Sequence, residues 1–369
     1  MNESDFIVGR VKEDYTDKRS VYPFAAIVNQ ELLKTALMLI AINPKIGGLL
    51  IYGEKGSGKS MAVRALADVL PEIKVVKGCP FNCDPDDPEH LCAICYERYQ
   101  KEGELPFEYK KMKVVTLPLG ASEDMVTGTL DIEKVLNEGL KALQPGILAR
   151  ANRNILYIDE INLLPDHITD DILDAAASGW NVIEREGISL SHPAQFILIG
   201  TMNPEEGSLR PQILDRLSLS VTLVGIEDER ERVEVIKRNL EFIKDPQTFK
   251  ERFKEKQEEI RNRIKRAKEI LEKVEMSDYQ YYIIAKLCKL LGVDGHRPDI
   301  VIALTAQTLA ALNERTEVLT EDIELASYLA LSHRTRNSGF DPPATINEIK
   351  DALAKAVKEA KTFFRGHKK

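Results

Sequence analysis

The stretch Leu49-Leu50-Ile51-Tyr52-Gly53-Glu54-Lys55-Gly56-Ser57-Gly58-Lys59-Ser60-Met61-Ala62-Val63 decides the fold. A short apolar run, a loop of the form G-x-x-x-x-G-K-S and a helical pattern follow one another. This is the strand–loop–helix order that a phosphate-binding loop requires. Gly53, Gly56 and Gly58 let successive backbone N–H groups converge on phosphate oxygens, with Glu54, Lys55 and Ser57 between them, and the helix N-terminus adds positive potential. Lys59 is placed to bridge the β- and γ-phosphates and Ser60 to reach Mg²⁺. The expected ligand is ATP with Mg²⁺.

Outward from this loop, short apolar runs alternate with helical patterns through the first 225 residues, at 48–52, 73–76, 114–117, 155–158, 196–200 and 221–224. Runs of this length without alternation suit buried parallel strands. Ile132, Val135, Leu136, Leu140 and Leu143 mark one helix face at the 3.6 period. The expectation is an α/β layer with a mostly parallel, five-stranded sheet.

A second chemical signal lies at the end of the run Asn154-Ile155-Leu156-Tyr157-Ile158-Asp159-Glu160. Asp159 at a strand end suits the Mg²⁺ water shell, and Glu160 beside it suits polarisation of an attacking water. The plain alternative is a strand that ends at an acidic turn, and the loop at Gly53 weighs against it. Asn203, just past the run at 196–201, is placed to orient the γ-phosphate or the water, although Asn-Pro is also an ordinary turn. Arg210 and Arg216 lie in one short span. Spacing leaves open whether one of them serves a neighbouring subunit's nucleotide or whether Asp215 merely pairs with Arg216. Arg297, before a helical pattern in the second half, reads on its own as a solvated helix start.

From 251 to 275, 16 of 25 residues are charged, with apolar residues at Phe253, Ile260, Ile264, Ala267, Leu271 and Val274. Such a narrow seam predicts a long, mostly exposed helix packed on a neighbour rather than a coiled coil, with Glu259/Arg263 and Glu269/Lys273 as i,i+4 pairs. The resulting organisation is a core over 1–230, a long charged connecting helix over 231–275, and a helical lid over 276–369. The core carries a cysteine-rich loop at 77–96 and a hairpin at 181–191.

Composition sets limits. Hydrophobic residues are 43% of the 369, which excludes a disordered chain, and Lys+Arg 51 against Asp+Glu 59 gives a net charge of −8. A globally basic nucleic-acid binder is thereby disfavoured. The opening MNESDFIVGR has no basic or apolar leader pattern, and the apolar stretch at 36–42 is far shorter than the 18 or more residues of a span. A cytoplasmic protein free of the membrane is expected.

Together these residues resemble the AAA+ ATPases, and more narrowly the ATPase subunit I of magnesium chelatase, over about 21–336. The specific stretches are VYPFAAIV at 21–28, the loop at 53–60, PLGASED at 118–124, YIDEINLL at 157–164, AASGWNVIEREG at 176–187 and NPEEG at 203–207. The resemblance implies an AAA+ core with a helical lid, ATP hydrolysis, and a homo-oligomeric ring, a hexamer in that family, with ATP between neighbours. It makes Asn203 sensor 1, Arg216 the arginine finger with Arg210 the second candidate, Arg297 sensor 2, and 181–191 the hairpin before sensor 1. It also implies two partners, an AAA+ subunit with an integrin-like domain and a large porphyrin-binding subunit. The product would be a metallated tetrapyrrole such as magnesium protoporphyrin IX. Related ATPases serve cobaltochelatases, MoxR-like members act as chaperones on metal-dependent partners, and replicative helicases share the hairpin.

The cysteines depart from that pattern. The spacing Cys79-x₃-Cys83-x₈-Cys92-x₂-Cys95 lies on a loop rich in Pro and Asp. Four thiolates at short spacing suit a structural Zn²⁺, and an iron–sulfur cluster also takes four. Disulfides are disfavoured in a cytoplasmic chain. Cys288 reads as ordinary core.

Overall fold

A computed structural model of the chain describes residues 20–130, 143–185, 188–203, 205, 207, 209–337 and 341–366. Its strands are β1 (Leu49–Tyr52), β2 (Ile73–Val76), β3 (Phe107–Lys110), β4 (Val114–Leu117), β5 (Gly128–Leu130), β6 (Leu143–Pro145), β7 (Ile155–Ile158), β8 (Trp180–Arg185), β9 (Ile188–Pro193), β10 (Ile197–Met202) and β11 (Leu219–Thr222). Five of them form one parallel sheet in the order β11-β1-β10-β7-β4.

Both faces of this sheet are covered, which is why its strands read as continuous apolar runs. Leu49, Ile51, Ile155, Tyr157, Ile197 and Ile199 point into one core, with the helices Glu31–Ile42 and Lys59–Val69. Leu50, Leu156, Ile158 and Leu198 point into the other, against Ile147–Ala151 and Asp166–Ser178. The first core continues without a break into the helices Asp278–Leu291, Arg297–Leu312 and Thr320–Leu331 through Ile284, Leu309 and Leu329. The helical lid thus packs on the α/β layer.

Three expectations need correction. The run at 73–76 is a strand, but it pairs antiparallel with β3 outside the main sheet. Only Val75 and Val76 are fully buried in it, so its apolar character serves the cysteine-rich excursion between β2 and β3. The run at 221–224 is displaced, since β11 spans Leu219–Thr222 and Val224 is exposed. Ser218 and Ser220 are buried there, and the Ser220 hydroxyl bonds that of Ser332 at 2.9 Å; these serines hid the strand.

The connecting helix is two helices, Glu229–Lys244 and Pro246–Leu271. Asp245 ends the first and caps the second, accepting from the N–H groups of Gln247 (3.2 Å) and Thr248 (3.1 Å), with Pro246 in the first turn. Arg263 bonds Leu312 O and Asn313 Oδ1. Of the helical face expected over 132–143, positions 132–140 lie outside the described residues, as does the hairpin tip at 186–187, and Leu143 opens the strand β6 instead of continuing a helix.

Candidate active site

Register aligns the chemistry. Tyr52 of β1 pairs with Met202 of β10, and Ile158 of β7 pairs with Gly200. The loop after β1, the acids after β7 and the end of β10 therefore emerge at the same edge, the carboxyl end of a parallel sheet where ligands bind in such folds.

In the loop, Gly56 and Gly58 adopt φ of 82° and 84°, a region that costs a side chain dearly. A Cβ at Gly53 would lie 3.1 Å from Leu223 Cβ and 3.2 Å from Ser57 Oγ, so a side chain there would have to push these neighbours aside. Gly58 caps the helix Lys59–Val69 without a side chain, which leaves the first-turn N–H groups available to an anion. Lys59 Nζ donates to Gly53 O (2.6 Å) and Glu54 O (2.9 Å), and Ser57 Oγ to Glu54 O (2.8 Å).

Asp159 is held from two sides. Tyr157 OH donates to its Oδ1 at 2.9 Å and Thr201 Oγ1 at 2.6 Å. Burial pushes the Tyr157 phenol up, so it stays a donor. Glu160 sits at φ 52°, a left-handed conformation uncommon for a side-chain-bearing residue, and its N–H donates to Thr201 Oγ1 at 3.1 Å. Lys55 Nζ lies 3.4 Å from its carboxylate. The buried Asn203 accepts from Glu205 N–H at 3.3 Å.

The arginines lie elsewhere. Arg210 is held within its own chain by Asp166 Oδ1 (3.1 Å) and Asp170 Oδ1 (3.4 Å). Arg216 ends the helix Pro211–Arg216, and its carbonyl accepts from Gly48 N–H at 3.1 Å. That contact is at the amino end of β1, whereas the phosphate loop leaves the carboxyl end. Five residues of extended chain separate the two by about 16 Å, more than an arginine side chain spans. Asp215 pairs with Arg334 of the lid, not with Arg216. Burial lowers the Arg297 pKa first, and the positive charges of Arg216 and Arg334 lower it further, which groups Arg297 with them.

Sequence reasoning missed Thr201 and Arg334. The signal for Thr201 was a hydroxyl in an otherwise apolar strand, buried along its whole length. Arg334 carried no signal, because its importance arises from a contact 119 residues away.

The four cysteines converge. Cys79, Cys83, Cys92 and Cys95 are all buried and unbridged, with their sulfur atoms within 4.8 Å of one another. Phe81 N–H donates to Cys79 Sγ (3.3 Å) and Cys92 N–H to Cys83 Sγ (3.2 Å).

A parallel sheet with a phosphate loop, a carboxylate pair and a helical lid defines an AAA-type nucleotide-binding protein. Family models agree: one described as "AAA domain" matches residues 46–206, and one described as "AAA lid domain" matches 282–354. The magnesium-chelatase subunit ChlI homolog of Methanocaldococcus jannaschii is 59% identical over 339 residues, 92% of each chain. The chloroplastic magnesium-chelatase subunit ChlI of Nicotiana tabacum is 50% identical over 324 residues, 88% of this chain and 76% of that protein. A chain from the cryo-EM complex of the BchI and BchD subunits of magnesium chelatase is 46% identical, with a TM-score of 0.51, covering 91% of this chain and all of that one. This chain belongs to the magnesium-chelatase subunit ChlI family. Among its described residues, no helix is long and apolar enough to cross a membrane.

Proposed function

We propose that this chain is the ATP-hydrolysing subunit I of a magnesium-chelatase-type complex, coupling hydrolysis to insertion of a metal ion into a tetrapyrrole. The observation that carries the reading is the shared sheet edge bearing Gly53–Ser60, Asp159 and Glu160, with Thr201 bonded to both acidic residues.

ATP is bound by the N–H groups of Gly53–Ser60 and by Lys59. Ser60 and Asp159 take the Mg²⁺ that accompanies it, Glu160 polarises the attacking water, and Asn203 orients it. Arg216 is too far from its own loop, so it serves the nucleotide of the next subunit in a homo-oligomeric ring. Arg297 lies within electrostatic reach of Arg216 and Arg334, and Arg334 is held by Asp215, the residue before Arg216. Arg210 is occupied by Asp166 and Asp170, which favours Arg216 as the finger.

The partner is an AAA+ subunit of the BchD kind, with a large porphyrin-binding subunit. Mg²⁺ dehydrates reluctantly, which is why its insertion calls for a motor. The test is reconstitution with those two subunits from a related chelatase, following the fluorescence of magnesium protoporphyrin. Insertion that requires ATP and is lost in Glu160→Gln supports the proposal. ATP turnover with no metal inserted overturns it.

A further inference from the structure

The cysteine module takes no part in the nucleotide chemistry, yet it is built into the core domain. We propose that Cys79, Cys83, Cys92 and Cys95 bind one Zn²⁺ in a closed tetrahedral site, and that this ion sets the position of the β8–β9 hairpin.

The sulfur positions favour a single ion. A Zn–S bond of about 2.3 Å puts the four sulfurs of a tetrahedron about 3.8 Å apart. The Cys79 and Cys92 sulfurs are 4.0 Å apart, and all four lie within 4.8 Å. A four-iron cluster gives each thiolate its own iron and spreads the sulfurs wider than one shared ion does. The N–H groups of Phe81 and Cys92 donate to two of the sulfurs and favour the thiolate form. The four thiol protons pass to water as the ion binds, and the full set of protein ligands leaves no open position for catalysis.

The module needs such an ion. Its own apolar core beyond the cysteines is Val76, Phe81, Leu91 and Leu105, with Ile94 and Tyr99 partly buried against them. So small a cluster cannot order a loop of this length, and metal binding energy becomes its folding energy.

The hairpin is seated on this module. Ile183 of β8 and Leu190 of β9, a cross-strand pair, pack into the same small core. The Phe81 ring stacks on His192 of β9 with centroids 5.0 Å apart, and His192 Nε2 is 2.9 Å from Asn181 Nδ2 of β8. Asn152 Nδ2 holds Phe81 O at 2.5 Å. His192 of β9 therefore rests on Phe81, two residues from Cys79 and from Cys83, while Ile183 of β8 and Leu190 of β9 enter the same cluster as the four ligands. The hairpin follows the helix Asp166–Ser178 and runs on into β10, which carries Thr201.

The test uses the full chain. Metal analysis should find one zinc per chain without acid-labile sulfide, and cobalt substitution should give the intense visible bands of a tetrahedral tetrathiolate. Hydrogen exchange compares untreated protein with chelator-stripped protein and with Cys92→Ser. Exchange in peptides over 180–193 should rise tenfold or more on metal loss, while peptides over 53–60 and ATP affinity change less than twofold. Cys95→His, which keeps four ligands, should restore the zinc and the protection if the serine variant fails to fold. Metal-free protein with four titratable thiols, or iron with sulfide, overturns the site. Metal loss that leaves hairpin exchange unchanged overturns the bracing role.

Discussion

Thr201 Oγ1 donates to Asp159 Oδ1 at 2.6 Å, and the same oxygen accepts the Glu160 N–H at 3.1 Å. One hydroxyl from the central strand β10 thus fixes both acids at the end of β7. Thr201→Val keeps the shape and removes both bonds. ATP turnover should fall about 10–100-fold, the range for loss of a partner that orients a ligand-bearing carboxylate. Nucleotide affinity should stay within about threefold. Thr201→Ser should recover most of the rate; if the serine variant is as slow as the valine, the hydroxyl is not the operative group.

Lys59→Ala should weaken ATP binding, whereas Glu160→Gln should bind ATP and fail to hydrolyse it, because Asp159 and its two donors remain. Equilibrium binding with a fluorescent nucleotide, run beside phosphate release, separates the two. Normal turnover in Glu160→Gln would remove that residue from the water-activating role.

The Arg334–Asp215 pair ties the lid to the residue before Arg216. The Arg334 side chain is 8% exposed and that of Asp215 61%, so solvent screens the pair. Asp215→Ala should cost about 1–2 kcal/mol, less than a fully buried pair. Thermal unfolding should shift down by a few degrees, and turnover should fall with it because Arg216 loses its anchor. Arg216→Ala should abolish turnover with no change in the melting temperature. Loss of both properties in Arg216→Ala would mean a structural role.

His333 gives the chain an acid-sensitive point beside the same pair. Burial, with the Arg334 charge adding to it, pushes its imidazole down to about 3. The unfolded chain takes up that proton near pH 6.5 and the folded chain does not, so this contribution is complete above about pH 6.5 and shrinks as the pH falls. Between pH 6.5 and 5.0 the loss is about 1.6 kcal/mol. Melting temperatures across this interval should fall less steeply in His333→Phe than in the parent; parallel curves would contradict the assignment.

What could be read in advance divides by range. The placement of Gly53–Ser60 and Asp159–Glu160 just past strand ends was legible because each motif is contiguous and its strand is apolar on both faces. The strand at 73–76 misled because an apolar run records burial, not which sheet does the burying. The break at Asp245-Pro246 was legible in principle, since an Asp-Pro step caps a helix, but the continuous charge pattern masked it. Thr201 and the Asp215–Arg334 pair depend on register and on contacts across the fold, which no local pattern records.

The central claim is that the active site is shared, with Glu160 from one subunit and Arg216 from the next. Its most direct test is to mix Glu160→Gln with Arg216→Ala protein and measure ATP turnover against the mixing ratio. Each variant alone should be inactive. The mixture should regain activity that peaks near equal proportions, because some interfaces then join an intact Glu160 to an intact Arg216. Turnover that never exceeds the two variants measured separately would contradict a site completed by the neighbouring subunit.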